Sequence, residues 1–277
     1  MGKVRRQGGD WQEGAISGCE LARDHTPRSG LKQYLVAAIG LHWGSVMFFE
    51  PPVFRIMGDR ALLVELGDRI SPSVNEKVRE LFLKLDRRPL EGVLELVPSY
   101  RSLMVVYDPL RTGLDRLREA IIQLHQATDL SLVSEPKTLS VPVVYGGEYG
   151  PDLEWVSDFH KISPEEVIAL HIGTIYRVYM IGFTPGYPYL GELPEGLATP
   201  RRETPRTAVP QGSVAIAQRQ TGIYPVQSPG GWHILGWTPI KLFDAGQWPP
   251  TPLEMGDRVR FFPIQKEDIH RWTPSKA

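Results

Sequence analysis

Apolar and polar positions fall into a repeating order from residue 53 onward. Val53–Met57 and Ala61–Leu66 are short β-prone runs separated by Gly58-Asp59-Arg60, a pattern that predicts a hairpin. Ser71 caps the next segment, Pro72 fits its first turn, and Val74, Val78, Leu81, Phe82 and Leu85 share one face, so a helix follows. Val93–Val97 and Leu103–Tyr107 pair around Pro98-Ser99-Tyr100-Arg101, and Leu114, Leu117, Ile121 and Leu124 mark a second amphipathic helix. Paired strands alternating with helices that each bury one stripe make a sheet-and-helix layer.

Leu139–Tyr145 opens a different regime. A short helix starts at Pro151, and the "SPEE" run Ser163–Glu166 is a capping box whose helix stops near Gly173. Short strands separated by turns then continue to about residue 263, most clearly Ile175–Ile181, Ser213–Ala217, Trp232–Leu235 and Val259–Phe262. Glycine and proline make up 31% of residues 182–239, a share that alone would suit a low-complexity segment. The interleaved Phe183, Tyr187, Tyr189, Ile223, Tyr224, Trp232 and Trp237 argue instead for a turn-rich β-barrel or sandwich with apolar strands. The expected class is α+β, divided as 47–137 for the α+β layer, 138–265 for the barrel and 266–277 for a tail. Residues 1–46 lack a sustained period and are expected to be a disordered extension or to follow a misplaced start.

Composition narrows the chemistry. A net charge of −1 gives no electrostatic case for nucleic acid or an anionic membrane. Cys19 is the only cysteine, which removes disulfide frameworks and cysteine zinc sites and suits a reducing, cytoplasmic setting. The apolar run from Tyr34 to Phe49 is broken by Gly40, His42, Gly44 and Ser45, too short to span a bilayer. No phosphate loop, dinucleotide fingerprint, nucleophile elbow or H-E-x-x-H motif occurs, and the scattered histidines show no metal-ligand spacing.

What remains is a polar set within the Gly/Pro/aromatic region: Arg201, Arg202, Arg206, Gln211, Ser213, Gln218, Gln220, Gln227, Ser228 and His233. Arginine forks suit carboxylates, and glutamines fix uncharged amides, so the set suits a small molecule bearing both. Polar residues also satisfy backbone at turns, and that reading stays open. His233 fits a general acid or base, or a strand residue with one face on the barrel. The four aromatics Tyr187, Tyr224, Trp232 and Trp237 fit either a groove or a core.

Long stretches carry a resemblance: "VPVVYGGEYGPDLEWV" (141–156), "IGFTPGYPYLGELPEGLATPRRETPR" (181–206), "VPQGSVAIAQRQTGIYPVQSPGGWHILGWTP" (209–239) and "GDRVRFFPI" (256–264). With "GDRALLVELGDRISPSVN" (58–75) and "VPSYRSLMVVYDP" (97–109), they resemble the KipI family. This is the family of the B component of bacterial ATP-dependent 5-oxoprolinase, also called allophanate hydrolase subunit 1. The resemblance implies a small ferredoxin-like α+β domain followed by a cyclophilin-like barrel. It implies action with a KipA-like partner and a LamB/YcsF-like partner, opening 5-oxo-L-proline to L-glutamate with ATP and Mg2+ at the level of the complex, the chain being inactive alone. On that footing His233 and Arg206 are the expected catalytic groups, and Phe183, Tyr187, Arg201, Gln211, Gln220, Tyr224 and Ser228 the expected substrate contacts, with no metal ligand. Other roles seen with this resemblance are inhibition of a sporulation-type sensor kinase and a place in urea-carboxylase systems. Trp237 stands where the family more often has a small polar or basic residue.

Overall fold

A computed structural model describes residues 46–127 and 135–272. The expectation for residues 1–46 falls, but for Val46, outside the described residues.

The first layer is a four-stranded antiparallel sheet in the order β1 (Phe48–Met57), β2 (Ala61–Gly67), β4 (Ser102–Tyr107), β3 (Val93–Pro98). Two helices, α1 (Pro72–Arg87) and α2 (Leu114–Gln126), follow the two hairpins. This is a ferredoxin-like arrangement with its last strand moved to the front of the chain: β2–α1–β3 is the split βαβ unit, and β4 lies between its strands. Strand β1 begins earlier than its periodicity suggested because Pro51 and Pro52 interrupt the pattern. An edge strand tolerates prolines, having one side that needs no ladder bonds. Ser71 caps α1 as expected, its Oγ accepting the Val74 amide at 3.1 Å. Leu62, Val64, Leu66, Val74, Val78, Leu81, Leu103, Val105, Leu117 and Ile121 form this layer's core.

Among the described residues, seven strands close the second layer into a barrel. Their order is β10 (Gln220–Ile223), β7 (Pro188–Gly191), β6 (Ile175–Ile181), β13 (Arg258–Pro263), β5 (Thr138–Tyr145), β12 (His233–Trp237) and β9 (Ser213–Ala217). Strands β13 and β5 run parallel, and the other neighbours run antiparallel. Helix α3 (Leu153–His160) and helix α4 (Pro164–Ile172) pack on one another and on the barrel. In α4 the capping box forms in full, Glu166 N donating to Ser163 Oγ and Ser163 N to Glu166 Oε2. The tail expected at 266–277 begins as a short 3-10 helix, Lys266–Arg271.

Strand β9 is buried on both faces. Val214 and Ile216 point into the barrel core, while Ala215 and Ala217 point outward beneath Tyr187, Tyr224 and Trp232. Small outward side chains let the large rings lie close to the barrel wall. Glycine completes the fit: a Cβ at Gly230 would sit 2.2 Å from the Tyr224 hydroxyl. A short pair, β8 (Arg206–Val209) with β11 (Ser228–Gly230), flanks this aromatic layer.

Polar contacts join the sheet to the barrel. Asn75 of α1 donates to the carbonyls of Tyr100 (3.1 Å) and Tyr179 (3.0 Å) and accepts from Arg177 Nε at 3.1 Å. Arg79 Nε donates to the Met255 carbonyl at 2.9 Å, and Arg177 pairs with Glu76. Buried groups satisfied across a junction fix how the two layers meet.

Candidate functional site

The loop 200–206, between a 3-10 turn (Glu195–Leu197) and β8, organises the site. Thr199 anchors its start, its amide donating to the Gln218 carbonyl at 3.1 Å. Arg201 then projects outward, exposed, with no hydrogen bond or ion pair among the described residues. Two clefts meet at it: one of about 270 Å³ lined by Phe183, Tyr187, Tyr189, Tyr224 and Trp232, another of about 620 Å³ lined by Tyr100, Tyr179, Tyr189, Gln218 and Gln220. Burial raises the Tyr224 hydroxyl to about 12 and the Tyr187 hydroxyl well above its ordinary value, while the Arg201 charge pulls both down. These phenols stay protonated at neutral pH and act as hydrogen-bond donors.

Ring contacts knit the wall together. Tyr187 meets Tyr189, Tyr224 and Trp232 edge to face at 5.0, 5.2 and 5.9 Å, and Phe183 meets Tyr187 at 5.8 Å. Phe183 is 64% exposed and holds φ at 67°, a conformation that is uncommon for a non-glycine residue and concentrates at functional sites. Gln220 Nε2 donates to the Tyr100 hydroxyl at 2.6 Å, so a barrel strand and a turn of the first sheet share the rim of the larger cleft.

Behind the loop lies a buried carboxylate. Asp152 precedes α3, but its side chain does not cap that helix. Its Oδ1 accepts from Arg202 and Arg206 and its Oδ2 from Arg206, all at 2.8 Å, and Oδ2 also accepts the Ile234 amide at 2.7 Å. Burial works to raise the Asp152 carboxyl; the Arg206 fork, the Ile234 amide and both guanidinium charges outweigh it and hold the group below its ordinary range.

The geometry ties Arg206, one of the two expected catalytic groups, to Asp152. Each of its terminal nitrogens donates one N–H to Asp152, which holds the side chain against the loop. Its outer side lines a further cleft of about 420 Å³, with Tyr149 and Trp237. Trp237 lies here against Tyr149 at 5.6 Å and donates Nε1 to the Gln211 carbonyl.

His233 sits beside Arg201 and Arg202 under the Trp155 ring, stacked at 4.2 Å and 8°. Its Nε2 lies 3.0 Å from the Pro200 carbonyl, which only accepts, so Nε2 carries the hydrogen. Burial lowers its pKa, and the nearby Asp152 charge, which pulls the other way, does not offset this. His233 is thus neutral near pH 7, with Nδ1 buried and unpartnered among the described residues.

Of the expected contacts, Phe183, Tyr187, Arg201 and Tyr224 share one cleft, and Gln220 joins Arg201 in the next. His233 lies on Arg201's other side. Gln211 sits in the turn before β9, away from these clefts. Ser228 is buried in β11 opposite Val209, with its Oγ unpartnered among the described residues. Tyr100, Tyr179 and Asp152 were not anticipated. Asp152 fell in the first turn of the helix expected from Pro151, and Tyr179 in the expected strand Ile175–Ile181, whose sequence does not show the ring from the first sheet that it meets. No group of three or more His, Cys, Asp or Glu among the described residues is placed to hold a metal ion, and no described helix is long and apolar enough to cross a membrane.

Residues 52–253 match the family described as carboxyltransferase domain, subdomain C and D. The chain is 37% identical over 230 residues to the 5-oxoprolinase B subunit of Bacillus subtilis, covering 78% of this chain and 94% of that protein. It is 39% identical over 216 residues to the Escherichia coli O157:H7 protein of the same name, covering 77% and 96%. Among solved structures, TTHA0988 matches with a TM-score of 0.67 at 38% identity over 74% of this chain, which spans only 40% of that longer one. The Kluyveromyces lactis urea carboxylase, at 19% identity and a TM-score of 0.63 over 79% of this chain and 22% of that one, shares the fold. The chain belongs to the carboxyltransferase subdomain C and D family, alongside the bacterial 5-oxoprolinase B subunits.

Proposed function

We propose that this chain is the B-type component of a cytoplasmic, ATP-dependent 5-oxoprolinase, forming one wall of a composite site in which 5-oxo-L-proline is opened to L-glutamate. The observation that carries this is the match of 37% identity across 94% of a 5-oxoprolinase B subunit, a full-length relationship rather than a shared motif. The site supports it: an unpaired arginine beside phenol donors and a glutamine offers a partner for each polar group of a carboxylated lactam.

In this reading Arg201, where the two clefts meet, holds the substrate carboxylate, with the Tyr187–Tyr224–Trp232 wall and Phe183 flanking it on one side. Fixed donors oriented toward a developing oxyanion act without titrating, so a site poor in free carboxylates remains competent. Arg206, Arg202 and Asp152 hold the loop that carries Arg201, and His233, neutral, braces it through the Pro200 carbonyl. ATP supplies the activation of the lactam carbonyl. In this reading the activation takes place at the interface with a KipA-like companion, and a LamB/YcsF-like companion completes ring opening. The chain alone is expected to be inactive. In domain terms, residues 47–137 supply the Tyr100 rim and residues 138–265 the wall. The test falls on Arg201: Arg201→Gln should lower kcat/KM of the reconstituted complex by roughly 10- to 100-fold, chiefly through KM. Unchanged kinetics would remove Arg201 from the site.

A further inference from the structure

We propose that the larger cleft is a three-point site for a small cyclic amide carrying a carboxylate. The Tyr179 hydroxyl donates to the amide carbonyl, Gln220 Oε1 accepts the amide N–H, and Arg201 holds the carboxylate. This rests on the 5-oxoprolinase reading and deepens it, because the lactam ring of 5-oxoproline presents all three groups.

Tyr179 is what points to the carbonyl. Tyr176 and Val178 of β6 belong to the barrel core, and the alternation of a strand puts Tyr179 on the outer face, toward Tyr100 at 5.7 Å. Tyr179 is 1% exposed, yet its hydroxyl meets no hydrogen-bond partner among the described residues. A buried polar group left unmet costs on the order of a lost hydrogen bond, so native proteins rarely keep one without a use. The position is built for the ring: a Cβ on Gly191 would meet Tyr179 Cε2 at 2.8 Å. Burial, with Glu192 adding to it, raises this phenol to about 12, so it keeps its proton and is a donor at neutral pH.

The other two points follow from what the neighbours already hold. Arg202 and Arg206 share Asp152, and Arg219 pairs with Glu192 at 2.9 Å, whereas Arg201 has no carboxylate among the described residues. Gln220 gives its Nε2 to Tyr100, which fixes the amide and leaves Oε1 as a free acceptor among the described residues. Tyr100 and Ile70 come from the first layer and the other lining residues from the second, so both layers are needed to complete the cleft.

The test is calorimetric titration of the assembled complex with 5-oxo-L-proline, cyclopentanecarboxylate and 2-pyrrolidinone, alongside glutamate release. Tyr179→Phe should weaken 5-oxoproline about 10-fold and leave cyclopentanecarboxylate unchanged. The exposed Arg201→Gln should weaken both acids by roughly 10- to 100-fold and spare 2-pyrrolidinone; it remains informative if Tyr179→Phe does not fold. Equal losses for both acids in Tyr179→Phe, or no loss, overturn the assignment of Tyr179. An Arg201→Gln variant that discriminates the acids from 2-pyrrolidinone as wild type does overturns the carboxylate point. If wild type binds with this pattern but releases no glutamate, the 5-oxoprolinase reading falls and the site stands. Release that Tyr179→Phe leaves untouched keeps the reading and sinks the Tyr179 assignment. No binding of the lactam by wild type ends both.

Discussion

Replacing Asp152 by asparagine tests the support on which Arg201 depends. The carboxylate is 5% exposed and accepts four hydrogen bonds, three of them from guanidinium groups that are themselves 31% and 25% exposed. Asparagine keeps the shape but turns one oxygen into an NH2 group, so a donor faces Ile234 N or the Arg206 fork. Two arginines are then left close together without their counter-charge. Breaking a buried ion pair by removing one partner costs about 3–5 kcal/mol. The partial exposure of both arginines lets water recover some of this, so about 3 kcal/mol is expected. Urea unfolding at pH 7 should show the loss as a lower midpoint with an unchanged slope. Because the carboxyl titrates lower in the fold than its ordinary value of 3.8, its contribution is present above that pH and is lost as pH falls through the folded value. Wild type and Asp152→Asn should therefore converge in strong acid. Turnover by the complex should drop as the 200–206 loop loosens. A loss below about 1 kcal/mol at pH 7 would show that the arginines do not need Asp152, and the hub would cease to explain how Arg201 is placed.

Three further outcomes are expected. His171 is fully buried, and its tautomer is set by its neighbours: Thr221 Oγ1 gives its hydrogen to the Ala215 carbonyl, so His171 Nε2 donates to Thr221 and Nδ1 accepts from Tyr145. Burial lowers its pKa to about 3, so the unfolded chain takes up the proton first and stability falls as pH drops below 6.5. Over about 1.5 pH units below that point this amounts to about 2 kcal/mol, and His171→Gln should flatten the slope in urea titrations; an equal slope in both proteins would refute it. Gly230→Ala drives a methyl against the Tyr224 hydroxyl and should lower the melting temperature and raise KM together, whereas wild-type kinetics would show the wall to be unimportant. Arg206→Lys should weaken stability by about 1–2 kcal/mol without changing the preference for carboxylated ligands, since a lysine holds Asp152 at one point only; altered ligand preference would return Arg206 to the substrate.

Much of the fold was legible because its signals are local. The Ser71 and Ser163 caps, the helical stripes and the β9 alternation of Val214 and Ile216 with Ala215 and Ala217 are each set by neighbours in sequence. Tyr187, Tyr224 and Arg201 stood together in the sequence with groove and core both open for the two rings; the fold buries both rings and leaves Arg201 exposed beside them. The roles of Arg206 and Asp152 were not legible. They lie far apart in the chain, and nothing near Asp152 distinguishes a helix cap from the counter-ion of two arginines. Tyr179 escaped for a similar reason: alternation in β6 sets it facing outward, but Tyr100, the ring it meets, belongs to the first sheet, far away in the chain. The start of strand β1 was hidden by its prolines, which stop a central strand and are tolerated at an edge.

The central claim is that this chain is a required part of a 5-oxoprolinase. The direct measurement is ATP-dependent glutamate release from 5-oxo-L-proline by the KipA-like and LamB/YcsF-like companions, with this chain added or left out. Release only when the chain is present, and none from the chain alone, is the expected result. Equal release without it, or none with all three proteins well folded, would contradict the account.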